Sequence, residues 1–151
     1  MTSTVIQTID QLCTILSQAR VTVREVADRL GTIVEDQGGH LAVIVRPGDP
    51  AFTRASIVRD FQTGEPAHVE LSLASAIDVS ALQQAFGAFT VLPVARAGKP
   101  TGIIFRVDRA GQSYTCAILA DVQPGQAGIA QGTVVALTVR RDIRLKQPDK
   151  L

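Results

Sequence analysis

Four arginines are the residues whose type and spacing best suit binding chemistry. Arg46 and Arg96 each follow an apolar run and open similar turns, Arg-Pro-Gly-Asp-Pro and Arg-Ala-Gly-Lys-Pro, which lie 50 positions apart. Arg59 and Arg106 stand in the strand-like runs that follow these turns. Because the planar guanidinium group matches carboxylates and phosphates with paired hydrogen bonds, the four side chains predict a small-anion site in a cleft between the two segments.

The same arginines have a simpler interpretation as surface ion pairs. Asp49, Asp60 and Asp108 lie close to them in sequence, and an exposed pair contributes only about 0–1 kcal/mol to stability. Both interpretations stay open at the level of sequence, because the strand order decides whether the paired arginines meet.

Catalytic and metal-binding patterns are absent from the sequence. A serine, cysteine or threonine nucleophile needs a base within hydrogen-bond reach, and nothing in the sequence ties His40 or His68 to such a residue. No Gly-x-Ser-x-Gly motif occurs. The two histidines stand 28 positions apart, whereas a metal site needs three or four ligands, often as closely spaced pairs. We therefore expect no catalytic residue, no metal and no cofactor.

The two cysteines, Cys13 and Cys116, lie in apolar segments. They form no C-x-x-C pair and neither lies beside a histidine, so we expect buried free thiols, as is usual in the reducing cytosol. Residues 1–20 lack the basic start and apolar block of a signal peptide, and no run reaches the ~18 apolar residues of a membrane span. We expect a soluble, cytoplasmic protein without a membrane partner.

Composition favours one folded domain with an aliphatic core. Of the 151 residues, 46% are hydrophobic, 19% are charged and only 4% are aromatic, so we expect a single domain over residues 1–151. The net charge of +1 creates no field that attracts polyanions. A basic C-terminal end is the feature that best suits nucleic acid, and it comprises Arg140, Arg141, Arg144, Lys146 and Lys150.

Three segments have the periodicity of amphipathic helices. The first spans residues 4–20, the second spans residues 22–37 and begins with a capping box at Thr22, and the third has Asp78 as its N-cap. The start of the second helix resembles the opening of a helix-turn-helix motif. The helical periodicity continues past Gly31, however, so no separate recognition helix is expected.

Most of the chain follows the pattern of two helix–strand–strand–strand repeats. The repeats cover about residues 21–74 and 77–122, and a glycine-rich connector at 123–132, which we expect to be a hairpin loop, leads to a last strand at 133–145. Alternating apolar and polar residues predict antiparallel strands with one buried face. The expected fold is α+β, with helices on one face of an antiparallel sheet that is either open or a partly closed barrel.

These features favour a non-catalytic interaction or regulatory domain that self-associates. The apolar face of the first helix and the long last strand offer two routes to a dimer. Two alternatives remain: a small-anion-binding protein or enzyme that uses a cleft between the repeats, and a nucleic-acid-binding protein that uses the basic C-terminal end. The sequence disfavours nucleic acid, since the chain has few aromatic side chains on which bases could stack.

Overall fold

The computed structural model describes residues 4–36, 38, 41–93 and 101–143. Within this part of the chain, three helices and eight strands follow one another in the order α1 (Thr4–Leu16), α2 (Val23–Leu30), β1 (Gly31–Asp36), β2 (Ala42–Pro47), β3 (Phe52–Arg59), β4 (Pro66–Asp78), α3 (Val79–Phe86), β5 (Thr90–Val91), β6 (Thr101–Val107), β7 (Tyr114–Gly125) and β8 (Gly128–Ile143). The third helix lies where the sequence predicts it, with Asp78 as its N-cap and Gly87 as its C-cap.

The eight described strands form one antiparallel sheet in the order β1-β2-β3-β4-β8-β7-β6-β5. Each half of the sheet is a four-stranded meander that follows a helix, since α2 precedes β1 to β4 and α3 precedes β5 to β8. The two meanders join through β4 and β8, which pair antiparallel. Because β1 and β5 are separate edges, the sheet is open and not closed into a barrel. The predicted α+β fold is confirmed, whereas the sequence repeat stays a prediction.

One face of the sheet, here called the inner face, carries the core. Residues that lie opposite each other on adjacent strands share a face. The register therefore defines a row of fully buried side chains across five strands, and its members, each 0% exposed, are Val43, Ile57, Val69, Val139 and Ile118. Side chains from all three helices belong to the same core cluster.

The helices bury the apolar stripes that their sequence periodicity marks. The buried side chains of α1 are Val5, Ile6, Ile9, Leu12, Cys13, Ile15 and Leu16. Those of α2 and α3 are Val26, Ala27, Leu30, Val79 and Leu82. Each fully buried aliphatic side chain of this size contributes about 1.5–3 kcal/mol, so packing on the inner face, more than helix propensity, holds these short helices in place.

The predicted second helix is wrong beyond Leu30. α2 ends there, and the following residues Gly31–Asp36 form the edge strand β1. Thr32, Ile33 and Val34 are β-branched residues, which favour a pleated strand over a helix. Since a strand follows α2, the likeness to a helix-turn-helix motif ends at the same point.

Gly31 makes this change of direction possible. Its α-carbon lies so close to β2 that an added Cβ would be 1.9 Å from the Arg46 carbonyl oxygen. The contact is closed by the N–H of Gly48, which donates to the Leu30 carbonyl at 2.8 Å. Only a residue without a side chain permits this approach of two backbones.

Two further boundaries differ from the predictions. α1 ends at Leu16 and not at residue 20. The glycine-rich segment at 123–132, predicted as a loop, is mostly strand, because β7 continues to Gly125 and β8 starts at Gly128. These two glycines lie opposite each other in the hairpin, so the long ladder between β7 and β8 continues to its turn.

Cys13 and Cys116 form a disulfide, so the predicted free thiols are wrong. Cys13 lies on α1 and Cys116 on β7, 103 positions away, and both side chains are 1% exposed. The same region holds a second link, because the Ser17 carbonyl accepts hydrogen bonds from the N–H groups of Ser113 and Tyr114 at 3.0 and 3.2 Å. The first helix is therefore fastened to its own sheet.

Candidate functional site

Arg59, a predicted anion ligand at the end of β3, binds a carboxylate of its own chain. Its Nη1 and Nη2 each donate to Asp36 at 2.8 Å. The hydrogen bond from Arg59, together with one from the Gly38 N–H at 2.9 Å, lowers the pKa of Asp36 to about 2. The same ion pair raises the pKa of Arg59. Arg59, whose side chain is 17% exposed, thus connects β3 to the edge strand β1.

Arg106 on β6 belongs to a second ion-pair cluster. Its Nη1 donates to Asp142 Oδ2 at 3.0 Å, and Arg140 donates to the same carboxylate through Nε at 2.6 Å and Nη2 at 3.0 Å. The hydrogen bonds from Arg140, and then those from Arg106, lower the pKa of Asp142. Arg59 and Arg106 therefore form ion pairs within the chain, as the simpler interpretation expects, but the carboxylates are Asp36 and Asp142, whereas Asp49, Asp60 and Asp108 were the expected partners.

The structure does not bring the predicted anion ligands together. Strands β4, β8 and β7 lie between Arg59 and Arg106, which corresponds to about 19 Å across the sheet at the usual strand spacing. Arg46 is exposed on β2, and Arg96 lies outside the described residues. The described residues therefore do not form a cleft in which Arg59 and Arg106 could bind one small anion together.

Three residues of the predicted basic C-terminal end, Arg144, Lys146 and Lys150, lie outside the described residues. Another residue of that end, Arg141, is a buried charge. Its side chain is 6% exposed and lies 4.5 Å above the Tyr114 ring. Its Nη2 donates to Glu65 Oε2 at 3.2 Å, whereas Nη1 is buried without a partner among the described residues. The available signal was the break in the apolar alternation of β8, since Arg141 lies opposite the buried Cys116 and so faces inward.

The other polar groups are scattered. His68 Nε2 lies 3.6 Å from Glu70 Oε1 at the surface, and His40 lies outside the described residues. Across the described ranges, no three His, Cys, Asp or Glu side chains could hold a metal ion. A cleft of about 230 Å³ beside α2, lined in part by Asp28 and Asp49, is smaller than the ~300–1,000 Å³ of typical ligand pockets.

The described part of the sheet also has a face opposite the core, here called the outer face. The strand register places three rows of side chains on it. The upper row comprises Ala42, Val58, His68, Arg140, Ala117 and Arg106. The middle row comprises Glu35, Ile44, Ser56, Glu70, Thr138, Leu119, Ile104 and Thr90. The lower row comprises Arg54, Ser72, Ala136, Asp121 and Gly102. Arg46, two positions after Ile44 on β2, lies on the same face beside Arg54.

Aliphatic and polar side chains share the outer face, and none of the three described helices packs on it. Ile104 and Ala117 are 5% and 0% exposed but lie outside the core cluster of the inner face. Ile44 and Leu119 in the middle row are half-buried. On the solvated face of an antiparallel sheet the side chains are usually polar, whereas Ile44, Leu119 and Ile104 are aliphatic residues on the outer face.

The two surfaces that the sequence offers for self-association are used inside the chain. The apolar stripe of α1 is buried in the core. Strand β8 is paired with β4 on one side and with β7 on the other. Residues 128–143 therefore present no long free edge to a second chain.

Within residues 4–36, 38, 41–93 and 101–143, every helix is too short or too polar to span a bilayer. Comparison of the chain with protein-family models, with curated proteins and with solved structures found no match. Function is therefore inferred from the arrangement of the side chains alone.

Proposed function

We propose that the chain is a non-catalytic interaction domain that self-associates through the outer face of its sheet. The observation that carries the proposal is the outer face itself, which spans an eight-stranded sheet and bears aliphatic side chains in its middle row. The inner face is occupied by the three helices of the same chain. The outer face is thus the broad surface that remains for a partner.

Packing two outer faces together would remove aliphatic side chains from water. Each Å² of apolar surface that leaves water contributes about 25 cal/mol, and Ile44, Val58 and Leu119 all retain exposed surface to lose. Two sheets commonly pack face to face about 10 Å apart, with their strands nearly aligned. Such packing needs no movement of the described backbone.

Sedimentation velocity of the wild type and of Leu119→Lys tests the proposal. We expect the wild type to change from monomer to dimer between micromolar and near-millimolar concentration. Leu119→Lys should raise the dissociation constant at least about tenfold, because it removes an apolar side chain from the interface and takes an ammonium group out of water. Gln84→Lys, on the exposed side of α3, makes the same change in charge and should leave the constant unchanged.

A wild-type chain that stays monomeric throughout this range would contradict the proposal. Equal weakening by Leu119→Lys and Gln84→Lys would also contradict it, since the effect would then follow net charge and not the outer face. Circular dichroism of both variants checks that the sheet and helices are retained.

The cellular location is a separate question. The cytoplasm remains a prediction from the sequence, and the Cys13–Cys116 disulfide weighs against it, because cytosolic glutathione keeps protein thiols reduced. Alkylation of free thiols during cell lysis, followed by mass measurement, would show whether the two cysteines are paired where the protein works.

A further inference from the structure

We infer that the self-association partner is a second copy placed by a twofold axis that runs parallel to the strands, between β4 and β8. In this arrangement Arg54 of each copy faces Asp121 of the other. The inference rests on the proposed use of the outer face and adds the symmetry and the residues that fix the register.

The positions of Arg54 and Asp121 carry the inference. The register aligns Arg54 on β3 with Ser72 on β4, Ala136 on β8 and Asp121 on β7, all in the lower row. The two charged residues therefore lie at the same level, on opposite sides of the β4–β8 midline. Three strand spacings, about 14 Å, separate their backbones, which is too far for an ion pair within one chain.

Both side chains are available for a partner. Arg54 and Asp121 are exposed, and among the described residues neither forms an ion pair. Arg106 and Arg140 in the upper row bind Asp142 within the chain. Among the described residues, Arg54 on β3 and Asp121 on β7 are thus an unpaired positive and an unpaired negative charge, placed symmetrically about the midline.

A twofold axis parallel to the strands would place Arg54 of each copy opposite Asp121 of the other copy. It exchanges the two sides of the midline, so β3 of one copy faces β7 of the other and Arg54 meets Asp121 twice. Faces of packed sheets lie about 10 Å apart, a distance that the long arginine and the short aspartate can span together. In the middle row the same operation places Ile44 opposite Ile104 of the second copy.

A twofold axis perpendicular to the strands lacks this match. Each strand would then face its own equivalent, and Arg54 would meet Arg54, Ser56 or Val58 of the second copy, depending on where the axis lies. None of these residues is acidic. Since like or unpaired charges across an interface disfavour an arrangement, charge complementarity selects the axis that runs along the strands.

The experiment uses two single variants, Arg54→Asp and Asp121→Arg, alone and mixed. Alone, each variant places two like-charged pairs at its own interface, and we expect its dissociation constant to rise about tenfold. Mixed in equal amounts, they restore two opposite-charge pairs in the heterodimer. Native mass spectrometry, which separates the two chains by mass, should then find mostly heterodimer. Arg24→Asp and Glu25→Arg on α2 form a control pair with the same changes in charge.

The outcomes separate this inference from the proposed function. Single variants that associate like the wild type, or heterodimer no more abundant than with the control pair, would overturn the symmetry and its register. If Leu119→Lys still abolished association in that case, the outer face would remain the interface with another arrangement. A monomeric wild type would instead contradict the proposed function, and the inference with it.

Discussion

Breaking the Cys13–Cys116 disulfide should destabilise the chain without unfolding it. The disulfide joins residues 103 positions apart, and closing a loop of about 100 residues in the unfolded chain corresponds to about 4.7 kcal/mol at 25 °C. In the folded chain, α1 keeps its seven buried side chains and the hydrogen bonds that the Ser17 carbonyl accepts from β7 and the turn before it. Most of the loss therefore arises from the freedom that the unfolded chain gains.

Urea unfolding of three forms measures this effect. The oxidised wild type is compared with the reduced wild type and with Cys13→Ala/Cys116→Ala, and we expect reduction to lower the free energy of unfolding by about 2–5 kcal/mol. The double variant should lose somewhat more, because it also removes two buried sulfur atoms. Equal unfolding midpoints for the oxidised and reduced protein, or two free thiols in untreated protein, would refute the reasoning.

Two further predictions concern Gly31 and Asp36. Gly31→Ala should lower the free energy of unfolding by about 3 kcal/mol, since the new methyl group would displace the backbone of β2. Gly48→Ala, on the opposite side of the same backbone contact, where an added Cβ would meet its nearest neighbour at 3.9 Å, should change it by less than about 1 kcal/mol; equal effects in a thermal melt would contradict the close-contact account. Asp36 has a pKa of about 2 when folded and about 3.9 when unfolded, so its stabilising contribution is present above about pH 4 and is lost as the pH falls through about 2. Asp36→Asn should therefore flatten this part of the acid dependence of stability, followed by circular dichroism, and an unchanged acid dependence would show that the pair with Arg59 is not responsible.

Much of the fold was predictable because its signals are local. The third helix follows from an N-cap at Asp78, an apolar stripe and a glycine at its end, all within ten positions. The prediction of the second helix failed beyond Leu30, because Ile33 and Val34 continue a helical apolar stripe but also suit a strand. The contact between Gly31 and the β2 backbone decides between them, and that contact involves residues distant in sequence.

The candidate site was harder to predict from the sequence, because it depends on the tertiary arrangement of residues that are distant in sequence. The arginine spacing predicted that Arg59 and Arg106 bind a small anion, whereas the groups that they bind in the structure are Asp36 and Asp142 of the same chain, 23 and 36 positions away. The sequence also offered the long last strand as a free edge for a dimer, because the length of a strand is visible in the sequence and its neighbours in the sheet are not. Because the strand order places β8 in the middle of the sheet, the surface that we propose for self-association is a sheet face and not a strand edge.

The central claim is tested most directly by methyl NMR over a dilution series. The methyl signals of Ile44, Val58 and Leu119, which are half-buried on the outer face, should shift between micromolar and near-millimolar concentration, whereas those of Ile9 and Leu12, both 0% exposed in the core, should not. Outer-face signals that stay constant over this range, or shifts confined to the helical side of the molecule, would contradict self-association through the outer face.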